Sequence, residues 1–121
     1  MKKNIMVIDD DKVTASLIPF ILKGEGYKVI AYQDGAEALD KFDDNPPDLV
    51  LLDIKMPELD GFEVCSAIKS RADTSSIPVI MMTASDKLGD AETAFERGAE
   101  EFLTKPIEKD KLLAKVEKYL G

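Results

Sequence analysis

DLVLLDIKMPELDG, running from Asp48 to Gly61, is a block of four apolar residues that ends on an acid and then on a loop. Leu49, Val50, Leu51 and Leu52 lack the alternation of a half-exposed strand and are expected to be buried on both faces. Asp53 then stands where the strand leaves the core. In open parallel sheets that edge, beyond the carboxyl ends of the strands, is where ligands bind. Asp53 is therefore a candidate reactive or ligand-holding carboxylate, provided other strands deliver chemistry to the same edge.

Outward from this stretch the chain repeats one pattern. Ile5 to Ile8 is a first apolar run, closed by Asp9, Asp10 and Asp11. Val13, Leu17, Ile18 and Ile21 follow at helical spacing, ended by Gly24 and Gly26, and Pro19 inside this helix predicts a kink or local irregularity. Lys28 to Tyr32 is a shorter, more polar strand suited to a sheet edge. Asp34 is placed to cap a helix with the stripe Ala38, Leu39 and Phe42, which Asn45, Pro46 and Pro47 stop. After the loop from Ile54 to Asp60 comes a helix with Val64, Ala67 and Ile68 inward, Phe62 and Cys65 beside them. Ser70 to Ser76 is expected to be an extended loop. The run from Val79 to Met82 then ends on Thr83, and Asp86 can cap a helix carrying Leu88, Ala91, Ala94 and Phe95, closed by Gly98. Glu101 to Thr104 is a short strand with Lys105 at its end, and Leu112, Leu113, Val116 and Leu120 give the last helix one apolar stripe. Strands joined through helices lie parallel with right-handed crossovers. The expected fold is α/β: a doubly wound, five-stranded parallel sheet in the flavodoxin-like order 2-1-3-4-5, helices on both faces.

Composition narrows the function. A chain of 121 residues fits one domain, spanning 1–121. Lys and Arg total 16 against 24 Asp and Glu, a formal net charge of -8, which argues against direct binding to nucleic acid or anionic membrane. The single Cys65 and the absence of a signal sequence point to the cytoplasm, and no segment has the length of a membrane span. There is no histidine, which removes triads, imidazole metal sites and phosphohistidine chemistry within the chain. Carboxylate, lysine and hydroxyl remain.

In the expected strand order, strands one, three, four and five end on Asp9 with Asp10, on Asp53, on Thr83 and on Lys105. All face one crevice. Three carboxylates meeting there repel one another unless a cation intervenes, and Mg²⁺ suits a site of few carboxylates, retained waters and a phosphate. A Lys105 ammonium and a Thr83 hydroxyl suit the oxygens of a phosphoryl group on Asp53. No general base is expected to be needed, because a carboxylate is already ionised at neutral pH.

At this point the sequence resembles the receiver domain of bacterial response regulators. The resemblance is carried by VIDDD at 7–11, LLDIKMPELDG at 51–61, PVIMMTA at 78–84 and GAEEFLTKP at 98–106, and covers nearly the whole chain. It implies that Asp53 accepts a phosphoryl group from a phosphohistidine on a sensor histidine kinase or histidine phosphotransfer protein. It further implies that Asp9, Asp10, Asp53 and the backbone carbonyl of Lys55 hold Mg²⁺. Thr83 and Phe102 correspond to switch residues that reshape the surface of the fourth helix, fifth strand and fifth helix. Phe102 lacks the hydroxyl of a tyrosine there. Lys55 and Ser85 occupy positions that tune acyl-phosphate lifetime, and the Lys105–Pro106 bond is the cis candidate. The output is a downstream target protein or a fused effector domain, the chain being either free-standing or cut from a longer regulator. Lysines in KDKLLAKVEKYLG, where the transcription-factor branch carries arginines, leave a monomer or weak dimer as the expectation.

Two alternatives compete. A haloacid-dehalogenase-type phosphatase would use Asp9 as nucleophile, with Asp11, Val13, Thr83 and Lys105 in its motifs, but its further metal motif would have to come from Glu108 and Asp110, the first acids after the lysine, on the closing helix. A mononucleotide binder would need a glycine- and hydroxyl-rich loop where three aspartates stand.

Overall fold

The computed structural model describes residues 3–84 and 88–121. The elements run β1 (Asn4–Ile8), α1 (Lys12–Gly24), β2 (Lys28–Tyr32), α2 (Gly35–Lys41) with a 3-10 turn over Phe42–Asp44, β3 (Leu49–Asp53), α3 (Gly61–Ser70), β4 (Val79–Thr83), α4 (Leu88–Glu96), β5 (Glu101–Thr104) and α5 (Lys109–Leu120). The strands form one parallel sheet in the order β2-β1-β3-β4-β5. This is the doubly wound, flavodoxin-like arrangement expected from the sequence.

The period-2 alternation of the strands sorts their side chains into two cores. Met6, Ile8, Val50, Leu52, Val79 and Met81 pack with Ala38 and Phe42 after β2, with Val64, Cys65 and Ile68 of α3, and with Ala94 of α4. Ile5, Val7, Leu49, Leu51, Ile80, Met82 and Leu103 pack on the other face with Ile18 and Leu22 of α1 and Leu112 and Val116 of α5. All five residues of β3 and of β4 are buried, which is why both read as uninterrupted apolar runs.

Side-chain caps fix several helix starts. Asp34 accepts from the Glu37 amide and so caps α2. At α3, Asp60 and Glu63 form a reciprocal capping box. Asp11, exposed, caps α1 by accepting from the Val13 amide and the Thr14 hydroxyl.

Three expectations need correction. The buried face of α1 is Ala15, Ile18, Pro19 and Leu22, whereas Val13 and Leu17 are 71% and 48% exposed. The helix carries two apolar seams at helical spacing, and only tertiary packing selects one. The helix continues through Pro19 as one element. In α4, Phe95 is half exposed while Ala94 is buried. The stretch after α3 is folded into turns rather than extended: the Thr74 and Ser75 amides donate to Arg71 O, and the buried Thr74 hydroxyl donates to Ile68 O. Asp86, expected to cap α4, lies outside the described residues.

Candidate functional site

Sheet register builds the site. Ile8 pairs with Leu52, so one step further Asp9 lies beside Asp53. Asp53 pairs with Met82, and Thr83 with Thr104, which brings Lys105 to the same edge. By alternation Asp9, Asp53 and Lys105 share the parity of Val7, Leu51 and Leu103, the face under α1 and α5. Thr83 and Phe102 share the parity of Met81, the opposite face.

The acids meet as expected. Carboxylate oxygens of Asp9, Asp10 and Asp53 all lie within 4.8 Å of one another, with Asp9 and Asp53 buried and Asp10 exposed. Lys105 Nζ sits 2.8 Å from Asp9 Oδ2 and 3.6 Å from Asp53 Oδ1. The lysine expected to meet a phosphoryl group thus rests on Asp9 first. Asp9 Oδ1 accepts from the Asp11 amide. Asp9 Oδ2, though charge-balanced by Lys105, is the buried side-chain oxygen among the described residues left without a well-aligned hydrogen bond. A cluster of hard oxygen donors with such an oxygen fits a divalent cation of the Mg²⁺ type.

Electrostatics follow from this crowding. Burial, and then the charge of Asp9, push the Asp53 carboxyl up to about 7, against the opposing pull of Lys105, with Asp10 adding to the rise. An Asp53 fully ionised at neutral pH, expected from the sequence, therefore does not hold for the cation-free chain. Burial alone would lower Lys105, but its close ion pair with Asp9 and the nearby Asp53 charge outweigh it and raise the ammonium above its usual range.

The loop after β3 is closed tightly. Ile54 donates its amide to Met82 O and accepts from the Gly61 amide at 2.8 Å. A side chain at position 61 would meet the Asp53 carbonyl oxygen and, at 2.7 Å, Ile54 Cα, so only glycine allows α3 to start this close to the site. Sequence reasoning treated Gly61 merely as a helix entrance. Glu58 in the same loop has φ 65°, an uncommon conformation for a residue with a side chain. Lys55 is exposed beside Asp10, Ile54, Met56, Pro57, Asp60, Phe62 and Asp90, which line an open cleft of about 520 Å³.

Thr83 is buried at the end of β4. Phe102 is half buried against the core that contains Met81 and Ala94, not turned out to solvent. The Lys105–Pro106 peptide is cis. Ser85 lies outside the described residues. Sequence reasoning used Glu101 only as the start of a strand. Its carboxylate accepts from Lys115, Lys118 and the Tyr119 hydroxyl at 2.7–2.8 Å, which ties β5 to α5 and holds its pKa down to about 2. An acid at a strand start gives no sequence signal of that role.

Comparison with known proteins agrees with this geometry. The family model described as response regulator receiver domain matches residues 5–117. Among solved structures, a response regulator described as putative from Chloroflexus aurantiacus is 31% identical, with TM-score 0.95 and coverage of 99% of this chain and 98% of that one. The chemotaxis protein CheY4 of Vibrio cholerae is 25% identical at TM-score 0.93, over 98% of this chain and 99% of that one. The receiver domain of a Pseudomonas aeruginosa sensor histidine kinase, solved with a magnesium ion coordinated in its active site cleft, is 26% identical at TM-score 0.90, over 100% and 99% of the two chains. No helix among the described residues is long and apolar enough to cross a membrane. With its strand order, its acidic cluster and a family match over all but the ends, this chain belongs to the response regulator receiver domains, the regulatory domains of two-component signalling.

Proposed function

We propose that the chain is a phosphorylation-dependent switch in which Asp53 accepts a phosphoryl group from a phosphohistidine on a sensor histidine kinase or histidine phosphotransfer protein. The observation that carries this is the convergence of three carboxylates and one ammonium at the carboxyl edge of β1, β3 and β5. In the transfer an Asp53 oxygen forms a P–O bond as the P–N bond of the donor breaks. The electron pair returns to the imidazole nitrogen, which takes up a proton. Asp9, Asp10, Asp53 and the Lys55 carbonyl would hold Mg²⁺, which when bound would neutralise phosphate charge and keep Asp53 ionised. Lys105 moves part of its charge from Asp9 to the incoming phosphoryl oxygens, and the Thr83 hydroxyl binds another of them. Lys55 and Ser85 control water access to the acyl phosphate.

Thr83 and Phe102 share one sheet face, with Met81 paired to Phe102, so a shift of Thr83 toward phosphate frees space on the side where Phe102 packs. The readout is a change in the α4–β5–α5 surface, recognised by a target protein or a fused effector domain. The chain acts as one cytoplasmic domain over residues 1–121, a monomer or weak dimer, with no direct contact to nucleic acid or membrane. Use of Asp9 as a phosphatase nucleophile is disfavoured because Asp11, which that chemistry would aim into the site, is exposed and occupied in capping α1.

The test is incubation with acetyl phosphate and Mg²⁺ followed by intact mass. A hydroxylamine-labile gain of one phosphoryl group, lost in Asp53→Asn, supports the switch. Labelling that persists in Asp53→Asn and disappears in Asp9→Asn overturns it.

A further inference from the structure

Packing holds α4 weakly. Among the described residues Ala94 is its one buried side chain, and Phe95 beside it is 51% exposed. By contrast α1 and α3 each bury four residues. An alanine removes little apolar surface from water, so something besides the core must fix where α4 lies.

Its two ends differ. At the first turn Asp90 lines the cleft that also takes in Asp10 and Lys55, so this end reaches the acid site. The far end is closed by Gly98, at φ 99°, whose amide donates to Phe95 O while the Ala99 amide donates to Ala94 O, the paired bonds of a Schellman turn. One seam of α3 holds that turn. The Cys65 thiol donates to Arg97 O at 3.5 Å, and the Arg97 guanidinium donates to the Ser66 hydroxyl at 3.0 Å. The stem of Lys69 lies against Gly98, where an added Cβ would stand 2.9 Å from Lys69 Cγ.

Lys69 is the centre of the anchor. Its ammonium, 12% exposed, donates all three protons, to Ser75 O at 3.1 Å, Ile77 O at 2.7 Å and Glu100 Oε2 at 2.8 Å. Glu100 accepts from the Val79 amide with its other oxygen, at 2.7 Å, and donates its own amide to Val79 O. One ion pair therefore ties together the loop after α3, the first residue of β4 and the entry to β5. Losing a partner would leave charge uncompensated in a largely buried place, so this end resists displacement. Thr83, four residues along β4 from Val79, is about 13 Å away at the site.

We infer that the Lys69–Glu100 pair is the fixed pivot of the switch, so that α4 swings about the turn at residues 97–100 and only its end beside the acid site is displaced. This rests on the phosphorylation-dependent switch proposed above. It adds which end of α4 moves, and it makes Lys69 and Glu100 positioning residues for the signal, although neither touches the acid cluster.

The experiment compares backbone amide NMR shifts of the whole chain with and without excess acetyl phosphate and Mg²⁺, labelling being checked by intact mass. In wild type the amides of Gly89, Asp90, Ala91 and Glu92 should shift, and those of Val79 and of Arg97 to Glu101 should stay nearly still. Lys69→Met removes all three bonds of the ammonium, and Glu100→Gln keeps hydrogen bonding while removing the charge. Either should enlarge the phosphorylation-dependent shifts at 97–101 roughly threefold or more, because the pivot then yields with the helix. Lys69→Arg, which keeps the charge, should return part of the wild-type pattern. Glu100→Gln carries the test if Lys69→Met does not fold. A lower melting temperature with an unchanged shift pattern overturns the inference, since the pair would then be a stabilising contact only. Wild-type amides at 97–101 that shift as much as those at 89–92 also overturn it. A labelled chain with no shift anywhere in α4 overturns the pivot and leaves the phosphoacceptor role standing, while a chain that is not labelled overturns both.

Discussion

Lys105 Nζ lies 2.8 Å from Asp9 Oδ2, nearer than the 3.6 Å that separates it from Asp53 Oδ1, so the site's lysine is held in reserve on the acid beside the proposed acceptor. Replacing it with methionine keeps the aliphatic stem and removes the charge. Asp53 should then titrate higher still, since Lys105 is the cation that opposes its rise. Carbon-detected NMR of the Asp53 carboxyl against pH measures this. Lys105→Met should also destabilise the fold by about 1–3 kcal/mol through the uncompensated charge left on buried Asp9.

A second expectation concerns pH. The folded Asp53 carboxyl titrates near 7, well above its ordinary value of 3.8, so between those values the native state holds a proton that the unfolded chain has lost. Stability contributed by this group is present in acid and lost as pH rises toward 7 and beyond. Without divalent cation, wild type should therefore weaken across that window by an amount on the order of 2 kcal/mol. Asp53→Asn should be flatter with pH and more stable at pH 8. Urea midpoints at pH 5 and pH 8 for both proteins check the sign. Mg²⁺ at pH 8 should restore wild type more than the variant.

Gly61→Ala should be severe for so small a change. The new methyl would overlap the Asp53 carbonyl and Ile54 Cα, both backbone, so the loop and the acceptor strand end must shift. A loss of about 2–4 kcal/mol is expected, together with a reduced rate of acetyl phosphate labelling. Normal labelling at unchanged stability would contradict the tight closure of this loop.

Glu58 offers the opposite sign. Its φ of 65° disfavours a side-chain-bearing residue, and asparagine tolerates this region better. Glu58→Asn should stabilise the chain by about 0.5–1 kcal/mol, read as a raised urea midpoint at constant slope.

Glu101→Gln should weaken the tie between β5 and α5. The folded carboxylate is held near 2 by Lys115, Lys118 and Tyr119, below the ordinary 4.5. Its contribution is therefore present above pH 4.5 and lost as pH falls toward 2. The variant should melt below wild type at pH 7, by about 1 kcal/mol given the exposure of Lys118, and the two should converge in strong acid.

How much of this was legible beforehand differs by element. β3 and β4 could be read directly, because burial on both faces leaves runs with no polar interruption. The doubly wound order followed from alternating strands and helices, and with it the meeting of Asp9, Asp10, Asp53 and Lys105. α1 misled, because Val13, Leu17, Ile18 and Ile21 satisfy helical spacing as well as the true inward set does, and hydrophobicity alone does not say which seam faces the sheet. Gly61 and Glu101 act through contacts to distant or unpatterned neighbours and carried no signal of their own.

What the sequence by itself determined is therefore the set of strand-end residues and the edge at which they gather, since both depend on local apolar runs and on the handedness of the crossovers. Only the tertiary structure decided that Lys105 pairs with Asp9 in advance, that Asp53 is held near 7, and that one apolar seam of α1 is left outside. These are properties of distance and burial between groups far apart in the chain. Charge interaction and desolvation depend on such separations, which no run of residues encodes locally.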